Sequence, residues 1–272
     1  MLFVLLAGIA IQWLKESETF RLTDEKVEKI DLNTLDLLRT DVDFYAFDLT
    51  NPEFFTSGVT PILNRHDSMY QATRELIVQV KGVEKFDLDA HLTEADTLLA
   101  RYNRLFRQLV SRLQKKGFKD HGLEGKLRTF AHELENKKLI PATEMLMLRR
   151  HEKDYLLRDD QEYARQLNTL SAQLITRFAS SPGTVRLLTD YTKAFNDLVA
   201  LNDAIGLRTH TNLKGELNEI TVRLHRSLDV LNAEAEMLTA QNHQKTSTMF
   251  IVATAFAVVF CGVLIYLTAR AV

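Results

Sequence analysis

Apolar residues recur at every third and fourth position along most of the chain, and no stretch shows the strict alternation of a half-buried strand. The pattern predicts an all-α protein. Clusters of Gly, Pro and Asp interrupt it at residues 50–61, 81–87, 117–122, 158–161, 180–183 and 206–212, which leaves about seven helices, several of them long. Long helices with short connections predict an elongated bundle rather than a compact globule. The clearest period is the last: Leu213, Leu217, Ile220, Leu224, Leu228, Leu231, Ala235 and Leu238 approximate a coiled-coil seam. No Pro or Gly separates that seam from the apolar run that follows, so one helix is expected to continue from one into the other.

That run, Met249 to Leu267, carries no charge. At about 1.5 Å per residue it matches the roughly 30 Å hydrocarbon thickness of a bilayer, and it is expected to be a transmembrane helix with Tyr266 and Arg270 at its far interface. The opening "MLFVLLAGIAIQWL" is apolar but shorter, and is expected to be a first transmembrane helix whose beginning is missing. A cleaved signal peptide is the alternative, disfavoured because no basic region precedes the apolar stretch and no A-x-A site follows. The expected organisation is therefore a first span at 1–14, one soluble domain at 15–248, a second span at 249–267 and the start of a cytoplasmic segment at 268–272, with both chain ends on the same side.

The soluble part contains an internal repeat. Tyr102, Phe106, Leu109, Val110, Gly117, Phe118 and His121 recur at a constant offset as Tyr191, Phe195, Leu198, Val199, Gly206, Leu207 and His210. After one inserted residue, Leu123, Gly125 and Leu127 match Leu213, Gly215 and Leu217. Each copy reads as a helix, a glycine-initiated turn and a second helix, the glycine ending the first helix by accepting a positive φ. Two related hairpins suggest two related bundles. His121 and His210 at the matched turns read as capping or surface residues.

The stretch "MLRRHEKDYLLR", Met147 to Arg158, sets dense charge on a helix with an apolar face. Helical spacing groups Met145, Leu148, Tyr155 and Leu156 on one side, with Glu152 in the middle of that face, Arg149 on its edge and Arg150 pointing away. A buried charge is costly unless paired, so Glu152 needs a cation, and Arg149 one turn earlier can supply it. Near the N-terminus, Leu32, Leu35, Val42, Ala46 and Leu49 suggest a seam in which Arg39 lies between Leu35 and Val42. Such an arginine must snorkel, pair with Asp36, Asp43 or Glu152, or meet an anion from solution. The last possibility is a pocket between helices where guanidinium groups grip a small carboxylate.

Charge and composition remove other classes. The formal net charge is −2 and no basic block stands out, which argues against nucleic acid as a partner. The single cysteine, Cys261, lies in an apolar run, so an intrachain disulfide, a Cys-rich zinc site and a CxxCH haem attachment are impossible. No Glu-x-x-His pair for a di-metal bundle site is present, and His132–Glu133 opens a zinc-protease pattern that no second histidine completes. There is no glycine-rich phosphate loop and no G-x-S-x-G elbow. The expectation is no cofactor, no metal and no catalytic activity.

"LRRHEKDYLLR", preceded by "GFKDHGLEGKLRTFAHELE" and set between two apolar ends, resembles the helical bimodular sensor domain of bacterial methyl-accepting chemotaxis receptors and some sensor histidine kinases. The combination of "GLxGxLR" at Gly122–Arg128 with His132, Glu135 and "RRHEKD" at Arg149–Asp154 carries the resemblance, which covers most of residues 15–248. It implies two stacked four-helix bundles sharing long helices, in the periplasm and anchored in the inner membrane. It also implies a small organic acid as ligand, relay through the second span, and a homodimer. Arg39 and Arg149 lead as anion contacts, followed by Arg150 and Lys153. The cytoplasmic signalling region of such receptors is absent after Val272, so the chain reads as a fragment of a longer receptor or as a protein that binds without signalling alone. The alternatives are the sensor part of a histidine kinase and a non-catalytic helical spacer or partner-binding protein, whose arginines would all be paired internally.

Overall fold

The structure is a computed structural model and describes residues 2–83, 86–206 and 211–271. Among the described residues it is all-helical: α1 (Leu2–Phe47), a 3-10 turn (Asp48–Thr50), α2 (Pro52–Ser57), α3 (Pro61–Lys81), α4 (Asp89–Lys116), α5 (Gly122–Asn136), α6 (Ala142–Arg158), α7 (Gln161–Arg177), α8 (Pro182–Ile205) and α9 (Asn212–Ala271). Two helices exceed the expected set. The break at 50–61 contains α2, with Pro52 at its start, the Asn51 side chain accepting from the Glu53 N–H at 3.0 Å, and Gly58 closing it at φ +71°. The stretch read as one helix over 123–157 divides into α5 and α6. Lys138 takes a left-handed φ of +49° there, the Leu139 N–H caps the Leu134 carbonyl at 3.2 Å, and Pro141 precedes the first turn of α6. A lysine in that conformation is a weak sequence signal, which is why the break went unread.

The chain divides into two units. One comprises residues up to Leu37, Ser68–Leu98 and the chain from Leu224 on. Its core is built from Phe20, Val27 and Ile30 of α1, Ile77 and Val80 of α3, Leu92 and Ala95 of α4, and Leu224, Leu228, Leu231 and Ala235 of α9. Phe20 meets Phe86 at 5.0 Å between centroids, and Arg74 pairs with Asp96 at 2.9 Å. In α9 the expected seam is buried from Leu213 through Ala235. Beyond it the large apolar side chains from Ile251 to Leu267 are exposed, and among the described residues this is the one helix long and apolar enough to cross a membrane.

The second unit comprises Leu38–Asp67 and Leu99–Arg223. Within it α5 packs on α6 and α8, and α7 packs on the same two, closing a ring of four helices. Leu127, Leu134, Leu148, Tyr155, Leu167, Leu174, Leu188, Tyr191 and Phe195 fill its centre. Unlike the α9 seam, that of α1 differs from expectation. Its buried side chains are Phe20, Thr23, Val27, Ile30, Thr34, Leu37, Thr40, Asp41 and Phe44, with Asp48 following in the 3-10 turn, whereas Leu32, Leu35 and Val42 are 55%, 43% and 66% exposed. The buried stripe is interspersed with threonines and aspartates, most of whose polar atoms find partners. Thr23 and Thr34 donate to the carbonyls of Thr19 and Ile30, and Asp48 accepts from Thr60 at 2.5 Å. Counting apolar letters alone therefore selects the outer stripe.

The internal repeat is structural. Gly117 ends α4 at φ +87° and Gly206 ends α8 at φ +68°. A Cβ on either would lie 2.0 Å from a carbonyl oxygen, that of His121 in one copy and Thr211 in the other. Those same carbonyls accept the N–H of Gly125 at 2.9 Å and of Gly215 at 3.1 Å. Thr211 is thus the equivalent of His121; His210 and Leu207, with which the sequence pairing was made, lie outside the described residues.

Candidate functional site

On α6 the helical period carries Met145, Leu148 and Tyr155 into the four-helix ring and takes Glu152 with them, at 2% exposure. The carboxylate is fully engaged. Arg149 Nη1 donates to Oε1 at 3.1 Å and Oε2 at 2.8 Å, Tyr191 Oη donates to Oε2 at 2.8 Å, and Lys153 Nζ lies 2.9 Å from Oε1. Burial and the adjacent Glu152 charge raise the pKa of the Tyr191 phenol well above its ordinary value, so it remains a donor. Arg149 also reaches Glu135 at 4.0 Å, and His132 lies 3.3 Å from that carboxylate on the exposed side of α5.

Beside this cluster is a cavity of about 180 Å³ lined by Phe118, Lys119, Glu124, Leu127, Arg128, Glu152, Lys153 and Leu156. The α4–α5 turn builds one wall. Gly117 and Gly122 both have positive φ, and a Cβ on Gly122 would stand 2.6 Å from Gly117 Cα, so only this glycine pair closes the turn so tightly. Lys119 sits in the same turn at φ +52° with its ammonium 5.2 Å from the Phe118 ring centroid. Arg128 is held by Asp120 at 3.2 Å, and Lys116 lies 3.9 Å from Glu124. Three cations against two carboxylates leave positive charge in excess. Burial also pushes the Glu124 carboxyl above its usual range, so its negative charge is more readily neutralised than that of an exposed glutamate.

The four residues singled out from sequence are therefore placed differently. Arg149 and Lys153 meet at Glu152, and Lys153 lines the cavity. Arg150 is 72% exposed and faces Asp154 at 3.7 Å. Arg39 is exposed on the outer stripe of α1 beside Val42, because the seam to which it was assigned is the outer one. Lys119, Arg128 and Glu124 were missed as site residues. The signal was the close glycine pair in "GFKDHG", which marks a turn whose remaining side chains must project.

A second buried polar cluster lies in the same unit. Tyr102, the repeat equivalent of Tyr191, donates to Asp41 Oδ2 at 2.6 Å. His66, fully buried, stacks on Phe106 at 4.2 Å and holds Nε2 3.8 Å from Asp41 Oδ1. Both copies of the repeat thus aim a buried tyrosine hydroxyl at a buried carboxylate.

No family model, curated protein or solved structure matches this chain.

Proposed function

We propose that this chain is a membrane-anchored sensory module that binds a small organic anion in the cavity between the α4–α5 turn and α6. The observation that carries the reading is α9. It is one unbroken helix from Asn212 to Ala271, with a buried apolar seam in its first half and an exposed, uncharged apolar run in its second. A continuous helix with those two surfaces is suited to bring a change in a packed domain to a bilayer. The residues up to Leu14 complete a two-span anchor in this reading, supported by the ring of Trp13 lying 6.0 Å from that of Phe250. The domain is periplasmic, built of two stacked bundles that share α1 and α9, and acts as a homodimer whose output is chemotactic or passes to a kinase.

The ligand class follows from the cavity. Its volume admits a molecule of only a few heavy atoms, and the excess of cations favours a small carboxylate, with Lys119 and Arg128 supplying the donors that Arg149, committed to Glu152, does not. A saturable rise in melting temperature of the full chain in detergent micelles, with one acid from a panel of small mono- and dicarboxylates plus nitrate, is the expected result. It should disappear in Lys119→Ala and Arg128→Ala. A flat panel on folded protein overturns the proposal.

One observation favours the spacer reading: Arg149, Arg150 and Lys153 each face a carboxylate of the same helix, at 2.8, 3.7 and 2.9 Å. A membrane-anchored helical spacer or partner-binding protein predicts the flat panel, and unchanged melting temperatures in the two cavity variants.

A further inference from the structure

The cluster around Asp41 has no part in the anion cavity, and its construction is unusual for a packed core. Asp41 Oδ1 and both ring nitrogens of His66 are buried without a hydrogen-bond partner. Orphaned polar atoms of this kind cost stability, so three in one cluster call for a role. The groups that face the pair come from four helices. Tyr45 lies on α1 with Asp41, and Asp67 stands 3.8 Å from His66 Nδ1 on α3. Tyr102 and Arg107 come from α4, Arg107 being tied to Asp67. From the first turn of α9 comes Lys214, whose ammonium lies 3.2 Å from Tyr45 Oη and 4.5 Å from the Tyr45 ring centroid, and which feels the Asp41 charge.

We infer that Asp41, buried beside a neutral His66, is a proton-operated switch that acts on Lys214 and so on the start of α9. The geometry supplies the parts. A buried acid and a buried imidazole lie too far apart for a good hydrogen bond and near enough to sense one another. Tyr102 can donate to the acid in either protonation state. Lys214 is the cation whose attraction to Asp41 turns on only when the carboxyl ionises. Burial raises the Asp41 carboxyl to about 7, against the smaller opposing effects of the Tyr102 bond and Lys214. Burial, with Arg107 nearby, lowers His66 to about 3. In mild acid the pair is therefore a neutral carboxylic acid beside a neutral imidazole. Near neutrality Asp41 releases its proton to solvent, His66 stays neutral, and one negative charge appears opposite Lys214. This response is regulatory and separate from the anion cavity, so it stands or falls independently of the ligand.

The test uses the full chain in detergent micelles, labelled with ¹³C at aspartate carboxyl carbons. The signal absent from Asp41→Asn belongs to Asp41, and its midpoint is expected near 7 rather than the ordinary carboxylate value of about 4. Hydrogen exchange of peptides covering the first turns of α9, corrected for the intrinsic pH dependence of exchange, should show a several-fold rise in protection with the same midpoint. That rise should be lost in Asp41→Asn and in Lys214→Met, while Lys214→Met keeps an Asp41 titration well above 4. An Asp41 midpoint near 4 in the unaltered chain overturns the switch without reliance on any variant. An α9 response that survives in Lys214→Met overturns the coupling.

Discussion

Replacing Glu152 by Gln keeps the size and shape of the side chain and removes its charge. Glu152 is 2% exposed and receives two bonds from Arg149, one from Tyr191 and the Lys153 ammonium. The glutamine oxygen can still accept from Tyr191, but its NH₂ group must face a cation, and Arg149 keeps only the Glu135 carboxylate at 4.0 Å. Removing one partner of a buried pair costs about 3–5 kcal/mol. Here the Arg149 side chain is 20% exposed and Lys153 more than half so, and water recovers part of the loss, which places the cost at about 3 kcal/mol. Urea unfolding of the full chain in micelles, followed by far-ultraviolet circular dichroism, measures it as a shift in midpoint at constant slope. The double variant Arg149→Met, Glu152→Gln removes both charges while the glutamine oxygen still accepts from Tyr191, and it should recover to within about 1 kcal/mol of the unaltered chain, because no unpaired charge is left inside. A loss below about 1 kcal/mol in Glu152→Gln, or a double variant as damaged as the sum of the two single ones, would refute the argument that the pair exists to neutralise a buried charge.

Other outcomes follow from the same geometry. Gly117→Ala places a Cβ 2.0 Å from the His121 carbonyl oxygen at a positive φ and should cost more than about 2 kcal/mol in urea unfolding, whereas Gly183→Ala, in the first turn of α8 with nothing within 4 Å, should stabilise by about 0.5–1 kcal/mol. Asp41→Asn should become progressively more stable than the unaltered chain as the pH rises from about 4 to 7. The native carboxyl binds its proton more tightly than the unfolded one, so its contribution is complete below the unfolded pKa and lost as the pH climbs through about 7. At about 1.4 kcal/mol per unit the gain has a ceiling of about 4 kcal/mol, of which about 2.5 kcal/mol accrues between pH 5 and 8, where paired urea titrations read it. His66, lowered to about 3, acts in the opposite sense, losing its contribution as the pH falls below about 6.5; it is common to both chains and cancels in the difference.

Elements that obey one simple period were legible before the structure. The α9 seam and the α6 face both follow from spacing alone, and the need of Glu152 for Arg149 follows from the cost of burying charge. Three features were not legible, each for a local reason. The α1 seam misleads because the buried face of α1 and of the turn after it carries Thr23, Thr34, Asp41 and Asp48, whose polar atoms, Asp41 Oδ1 excepted, are satisfied by a preceding turn or by another residue, so hydropathy points to the wrong side and takes Arg39 with it. The α5–α6 break turns on Lys138 in a left-handed conformation that glycine or asparagine would have announced. The cavity walls come from a turn, where spacing predicts that side chains project but not what they meet.

The repeat explains why one fold holds two buried carboxylates with different chemistry. Tyr102 and Tyr191 occupy equivalent places, and each donates to an acid from another helix, so the tyrosine–carboxylate bond is the shared element. What differs is the charge around it. Glu152 has a guanidinium and an ammonium within 3 Å inside the ring of helices. Asp41 has a neutral imidazole at 3.8 Å and, in Lys214, a cation that hydrogen-bonds Tyr45 instead, so desolvation prevails and the acid keeps its proton until near neutrality. Taking those cations away should expose the cost of the buried acid. Removing Arg149 and Lys153 together leaves Glu152 with the Tyr191 hydroxyl as its one remaining partner among those described, and should destabilise the chain by at least about 3 kcal/mol at neutral pH in urea unfolding. A loss below about 1 kcal/mol would show that the tyrosine bond and water suffice, and the contrast between the two copies would need another cause.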